Sequence, residues 1–189
     1  MLRADAFEEL NQYIKNPNLI KHSLACEAIM KALCLHFNPS ADEVTINKWG
    51  TTGLLHDLDY ELTKDTPEKH ALVTQEKVGD KLDQDVMYAI KAHNYNYNKV
   101  EPHTLMDWSI YCCDELSGLI IAATLIHPDR KLASVDVNFI MNRFNDPGFA
   151  KGANRDQIKM CTTKLNIPLG DFIEISLKAM QSISTELNL

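Results

Sequence analysis

The chain has no excess of basic residues, no Cys-x-x-Cys pair, no run of alternating apolar and polar residues, and no long uncharged apolar stretch. Each absence excludes something. The formal charge is -7, with acidic and basic residues interleaved, which argues against gripping a nucleic-acid polymer by counterion release and points to a small substrate instead. Five cysteines, at 26, 34, 112, 113 and 161, suit neither a disulfide framework nor a zinc ribbon, so a reducing cytoplasmic setting is expected. The opening Met1-Leu2-Arg3-Ala4-Asp5-Ala6 lacks the charged-then-apolar pattern of a secretory signal. The longest uncharged apolar run, Leu116 to Ile126, is shorter than the roughly 20 residues a membrane helix needs, so no membrane association is expected. There is no internal repeat, no low-complexity tract and no Ser/Gly linker. With 189 residues and 45% apolar content, the expectation is one domain over residues 1–189.

What is present is helical periodicity, and the expected class is all-α. From His22, the residues Ala25, Cys26, Ile29, Ala32 and Leu33 recur at three- and four-residue steps, so His22 stands at one end of an apolar stripe on a helix ending near His36, before Asn38-Pro39. A second helix is expected from Asp42–Thr45 to Leu55, with Gly50 and Gly53 weakening its continuity. Thr66-Pro67-Glu68-Lys69 reads as the start of a helix running from His70 to Leu82, and Asp85 opens another with Val86, Ala89, Ile90 and His93 on one face. The strongest helix, Thr104 to Ile126, is apolar on more than one face and carries Asp114 in its middle. Three more are expected at Val135–Phe144, Arg155–Leu165 and Leu169–Leu187, forming a C-terminal extension to the core at about 19–126.

The chemistry concentrates at His56-Asp57, which follows the largely apolar stretch Thr51-Thr52-Gly53-Leu54-Leu55. A carboxylate beside an imidazole is costly to bury unless a cation or a hydrogen-bond network compensates, so the pair requires partners. His22 lies upstream; His70, His93 and Asp114 lie downstream. A lone histidine on an apolar face is more often a hydrogen-bonded core residue than a ligand, and His70, near a helix start, also reads as a solvated residue. The set taken together favours a metal site. Imidazole and carboxylate suit Mn, Fe, Co, Ni or Zn, whereas Mg or Ca would ask for oxygen donors throughout. His36, His103 and His127 lie at helix boundaries or beside Pro, and no ligand role is assigned to them.

The order His22, His56-Asp57, His70, His93, Asp114, spread over separate helices, resembles the HD-domain superfamily of metal-dependent phosphohydrolases. The phrases His-Asp-Leu-Asp-Tyr-Glu at 56–61 and Asp-Glu-Leu-Ser-Gly-Leu-Ile at 114–120 are similar to a group of microbial proteins described only as predicted HD-superfamily hydrolases. The resemblance implies a helical bundle in which His22, His56, Asp57 and Asp114 hold one divalent ion. In two-metal members His70 and His93 would hold a second, with Asp57 as the bridge. It also implies hydrolysis of a small phosphorylated compound, with nucleotides the foremost class. The same ligand order serves di-iron oxygenases of this fold, and a structural metal in a non-catalytic binding module is a third possibility.

The signalling and phosphodiesterase branches often read His-Asp-x-Gly-Lys. Here Asp59-Tyr60-Glu61 follows Leu58, which removes support for cyclic dinucleotide hydrolysis. Asp57 is the first catalytic candidate. Asp59 and Glu61 are candidates for general acid or base, with hydrogen bonding to a ligating imidazole as the alternative for either. For substrate phosphate, the basic residues nearest in sequence are Arg130, Lys131, Lys151 and Arg155. Oligomeric state is not legible.

Overall fold

Side-chain caps start the helices that carry most of the core. In the computed structural model, which describes residues 1–189, no strand occurs, and the all-α expectation holds. The helices are α1 (Arg3–Tyr13), α2 (Pro17–Phe37), α3 (Glu43–Leu55), α4 (Tyr60–Thr63), α5 (Leu72–Val78), α6 (Gln84–His93), α7 (Tyr95–Asn98), α8 (Leu105–Ile126), α9 (Val137–Phe144), α10 (Arg155–Lys164), α11 (Leu169–Ser182) and α12 (Ser184–Leu187). Asn16 accepts the N–H of Asn18 and places Pro17 at the first position of α2, where a missing N–H costs nothing. Asp42 accepts from Thr45 at the start of α3. Thr104 and Asp107 satisfy each other's backbone donors in a capping box that opens α8.

Helix α8 is the axis of the bundle, packed against α2, α6 and α10, with further contact to α3, α9 and α11. Ile110, Leu116, Leu119 and Ile120 are fully buried on it and meet a core that includes Ile29, Leu33, Leu54, Leu55, Ile90 and Phe172. Each such side chain contributes about 1.5–3 kcal/mol by leaving water. Taken whole, Leu105–Ile126 is long and apolar enough to cross a membrane, but 61% of its apolar window is buried here inside the protein.

Helices α2 and α3 meet along backbone as well as side chains. A Cβ at Gly53 would lie 2.5 Å from the carbonyl oxygen of Cys26, so the close approach requires glycine there, and α3 runs unbroken through Gly50 and Gly53. In the C-terminal third, α10 packs on α8, while α11 packs on α2 and α9.

Four regions depart from expectation. Helix α1 and the short α7 carry no strong apolar period. The helix expected over His70–Leu82 is broken into a 3-10 turn at Pro67–Lys69, a non-helical His70, helix α5 and a second 3-10 turn at Gly79–Lys81. The expected helix Leu169–Leu187 is interrupted at Ile183, so α11 and α12 are separate.

Candidate metal centre

Five separate elements deliver six side chains to one place. His22 projects from the second turn of α2, one turn before Cys26. His56 is the C-cap of α3, and Asp57 follows in the turn that links α3 to α4. His70 sits between a 3-10 turn and α5, His93 ends α6, and Asp114 lies mid-way along α8. His56 and Asp57 stand where α3 gives way to a turn, and both side chains reach the same centre.

The donor atoms fall into two groups joined by Asp57. His22 Nε2 lies 3.1 Å from His56 Nε2 and 3.0 Å from Asp114 Oδ1, and Asp57 Oδ2 is 3.5 Å from His22 Nε2 and 3.6 Å from His56 Nε2. On the other side, His70 Nε2 lies 2.9 Å from His93 Nε2, and Asp57 Oδ1 is 3.0 Å from His70 Nε2 and 3.6 Å from His93 Nε2. One carboxylate thus gives an oxygen to each group. Donors held about 2.1 Å from a divalent ion at tetrahedral or octahedral corners stand roughly 3.0–3.4 Å apart, so the spacing fits ions of that kind. Cys26 Sγ sits 3.9 Å from His22 Nε2, at the edge of the first group.

Every imidazole is anchored through its other nitrogen. His56 Nδ1 meets the Gly53 carbonyl at 2.8 Å and His93 Nδ1 the Ile90 carbonyl at 2.5 Å, while His70 Nδ1 meets Asp59 Oδ1 at 2.7 Å. His22 Nδ1 meets the Ser117 hydroxyl at 2.8 Å, and that hydroxyl donates to the Asp114 carbonyl. With Nδ1 engaged outward, Nε2 is the nitrogen that faces the centre, and it is the one that gives up its proton to an incoming ion.

Electrostatics favour a cation at the same point. Burial opposes the charged form of each group, yet the carboxylates prevail over it: Asp57 and Asp114 help to hold His56 up at about 9, and Asp57 and Asp59 hold His70 up at about 10. Cys26 and Asp114 likewise lift His22 well above the ordinary imidazole value. Against their own burial, Asp57 and Asp114 are pulled below the usual carboxylate range by the imidazoles. Burial and the Asp114 charge raise Glu115 to about 7, with the Asn154 N–H acting the other way.

The cluster opens into a cleft of about 880 Å³, where the Asp114 and His22 side chains remain 22% and 15% exposed. Its walls are Tyr60, Thr63 and Lys64 on one side, the α6–α7 segment with Asn94, Asn96 and Tyr97 on another, and Ala150–Gln157 on a third.

The HD domain family model matches residues 19–119, more than half of the chain. The chain belongs to the HD domain family. No curated protein and no solved structure matches it. The HD family is in general one of metal-dependent phosphohydrolases, and all six clustered side chains lie within the matched HD segment. The cleft wall at 150–157 lies outside it.

Several residues expected at the site are elsewhere. Asp59 is fully buried behind His70, with Oδ1 meeting His70 Nδ1 and the Ala71 N–H and Oδ2 the Thr74 N–H, so it orients His70 and does not line the cleft. Glu61 points away and accepts from the Lys15 and Asn16 backbone at the entry to α2. The Arg155 guanidinium is committed to the carbonyls of Phe144, Phe149, Ala150 and Ala153, holding the loop that forms one wall. Lys151 is exposed and does not line the cleft. Arg130 and Lys131 follow the far end of α8, which at 1.5 Å per residue runs about 18 Å beyond Asp114. Lys64, Asn96 and Gln157, which do line the cleft, were not singled out by sequence; Lys64 sits in an otherwise acidic turn, Lys64-Asp65, that looks like plain surface.

Proposed function

We propose that this HD-family chain is a metal-dependent phosphohydrolase acting on a small phosphorylated substrate, with nucleotides the foremost class. The observation that carries the proposal is Asp57, whose two carboxylate oxygens face two separate sets of histidine nitrogens. His22, His56, Asp114 and Asp57 would hold one divalent ion, and His70, His93 and Asp57 a second. Such ions supply an acidic water that ionises near neutral pH and positive charge for phosphoryl oxygens.

The protein's own residues do the rest. Asp59 fixes the ring of His70, Ser117 fixes that of His22, and backbone carbonyls fix His56 and His93, so the centre needs little reorganisation to bind. Lys64 brings a positive charge to the cleft wall for the substrate phosphate. The open cleft separates this reading from a closed structural metal site, which would have no room for water or substrate.

The test is metal analysis of protein purified without chelator, followed by a phosphate-release screen over nucleotides and sugar phosphates with Mn, Co or Ni. The expected result is bound transition metal and phosphate release that chelator abolishes. Bound iron with oxygen uptake and no phosphate release would replace the hydrolase with the di-iron oxygenase of the same donor order.

A further inference from the structure

The cleft is large but nearly devoid of cations. Of all its lining residues outside the histidine cluster, Lys64 is the one Lys or Arg, and Glu115 adds an acidic side chain to the wall. The basic residues of the third wall are turned to other ends: Arg155 is saturated by backbone carbonyls and Lys151 faces solvent. A triphosphate carries about four negative charges, and arrays of Arg, Lys or backbone N–H groups are the usual means of holding them. A monoester carries about two, which the centre and Lys64 together can balance.

Asn96 and Gln157 form an uncharged, hydrogen-bonded part of the wall. Tyr111 Oη donates to Asn96 Oδ1 at 3.2 Å, Asn96 Nδ2 donates to Gln157 Oε1 at 3.1 Å, and Gln157 Nε2 donates to the Tyr111 carbonyl at 2.7 Å. This closed ring of contacts fixes both amides and leaves each with one N–H that has no protein partner. Gln157 is 5% exposed, lines the cleft, and keeps one amide N–H without a protein partner. Elsewhere on the cleft wall, Tyr60 and Tyr97 are 45% and 59% exposed and present largely uncovered aromatic surface.

We infer that the cleft selects a phosphate monoester with a single phosphoryl group and an uncharged remainder that accepts hydrogen bonds, and that Asn96 and Gln157 are the residues that read this remainder. The inference rests on the hydrolase reading above and narrows it. Tyr111 is a positioning residue that acts through Asn96. The selectivity arises from what the wall lacks as much as from what it offers, since a second or third phosphate would lie against amides, tyrosine rings and Glu115.

The test compares adenosine 5′-monophosphate with adenosine 5′-triphosphate, by phosphate release and, in parallel, by calorimetric binding to the metal-loaded full chain. The monophosphate is expected to be at least about tenfold better in kcat/KM and in affinity. Asn96→Ala should raise KM for the monophosphate about tenfold with kcat within about twofold, the effect of one hydrogen bond to bound substrate, and Tyr111→Phe should raise it about threefold. Gly152→Arg supplies the missing cation at a position where a Cβ meets nothing within 4 Å, and should improve the triphosphate relative to the monophosphate severalfold. Equal or better handling of triphosphate by the parent, or a Gly152→Arg variant with unchanged preference, overturns the inference while leaving the hydrolase intact. Tighter binding of monophosphate without any phosphate release overturns the hydrolase and keeps the inference.

Discussion

His22, His56 and Asp114 stand on, or at the end of, long helices packed on several sides, whereas His70 lies in a stretch of short turns and His93 at the last residue of a ten-residue helix. The first group inherits its spacing from the contact between α2, α3 and α8. The second depends on a local device. His70 is followed by Ala71 at φ 68°, a left-handed conformation that costs a residue with a Cβ about 1–2 kcal/mol. The Asp59 carboxylate offsets that cost by accepting from Ala71 and Thr74 as well as from His70. Helix packing thus secures one half of the centre, and a single buried carboxylate the other.

The largest effect should come where the two halves join. Asp57→Asn removes the charge shared by both groups and the several kcal/mol of transition-state stabilisation that depend on it, so phosphate release should fall on the order of a thousandfold. Helix content by circular dichroism should stay near the parent's, because the side-chain volume is kept. Retention of parent activity would remove Asp57 from the reaction.

A smaller loss is expected at the anchors, and an unequal one. Asp59→Asn should weaken metal binding by about 10–100-fold at the His70–His93 group, whereas Ser117→Ala, which removes a neutral partner of His22, should weaken the other group by less than about tenfold. Titration with Mn under each substitution reads the difference. Equal effects would mean that the two halves are held alike.

The pH dependence follows from His56 and His70. Their values in the folded, metal-free protein, about 9 and about 10, lie above the ordinary 6.5, so the stability they contribute is complete below about pH 6.5 and is lost as the pH rises through those values. At neutral pH both rings carry a proton that an incoming ion must displace. Metal affinity should therefore rise between pH 6.5 and 8.5, with at least one proton released per ion and more at the group that holds both His22 and His56, measurable by calorimetry in two buffers of different ionisation enthalpy. Binding without proton release would show that the rings are neutral beforehand.

The smallest effect is expected at Glu61, which lies outside the centre. Glu61→Gln should lower stability by about 0.3–1 kcal/mol in thermal melts, through weaker acceptance from the start of α2, and leave catalysis unchanged.

The same contrast explains what sequence could reveal. Apolar periodicity and caps mark α2, α3, α6, α8 and the C-terminal helices, and with them the convergence of His22, His56 and Asp114. Nothing near Ala71 announces a left-handed residue. Its cause is Asp59, twelve positions earlier, so the stretch 70–82 reads as an ordinary helix. The basic residues were misplaced for a related reason. Proximity along the chain says nothing about which way a long helix carries its end, and Arg155 looks like a free cation until its four carbonyl partners are known. The neutral wall is harder still, since Asn96, Tyr111 and Gln157 acquire meaning only when α7, α8 and α10 meet.

Gly53 leaves no gap between α3 and the Cys26 backbone, and it sits three residues before His56, while Cys26 sits four after His22. The separation of those two imidazoles is therefore calibrated by main-chain contact, as the jaws of a gauge are set by a stop. Any side chain at 53 would push α3 away from the Cys26 backbone and move the stop, so a residue that offers no donor atom helps to set the spacing of the centre.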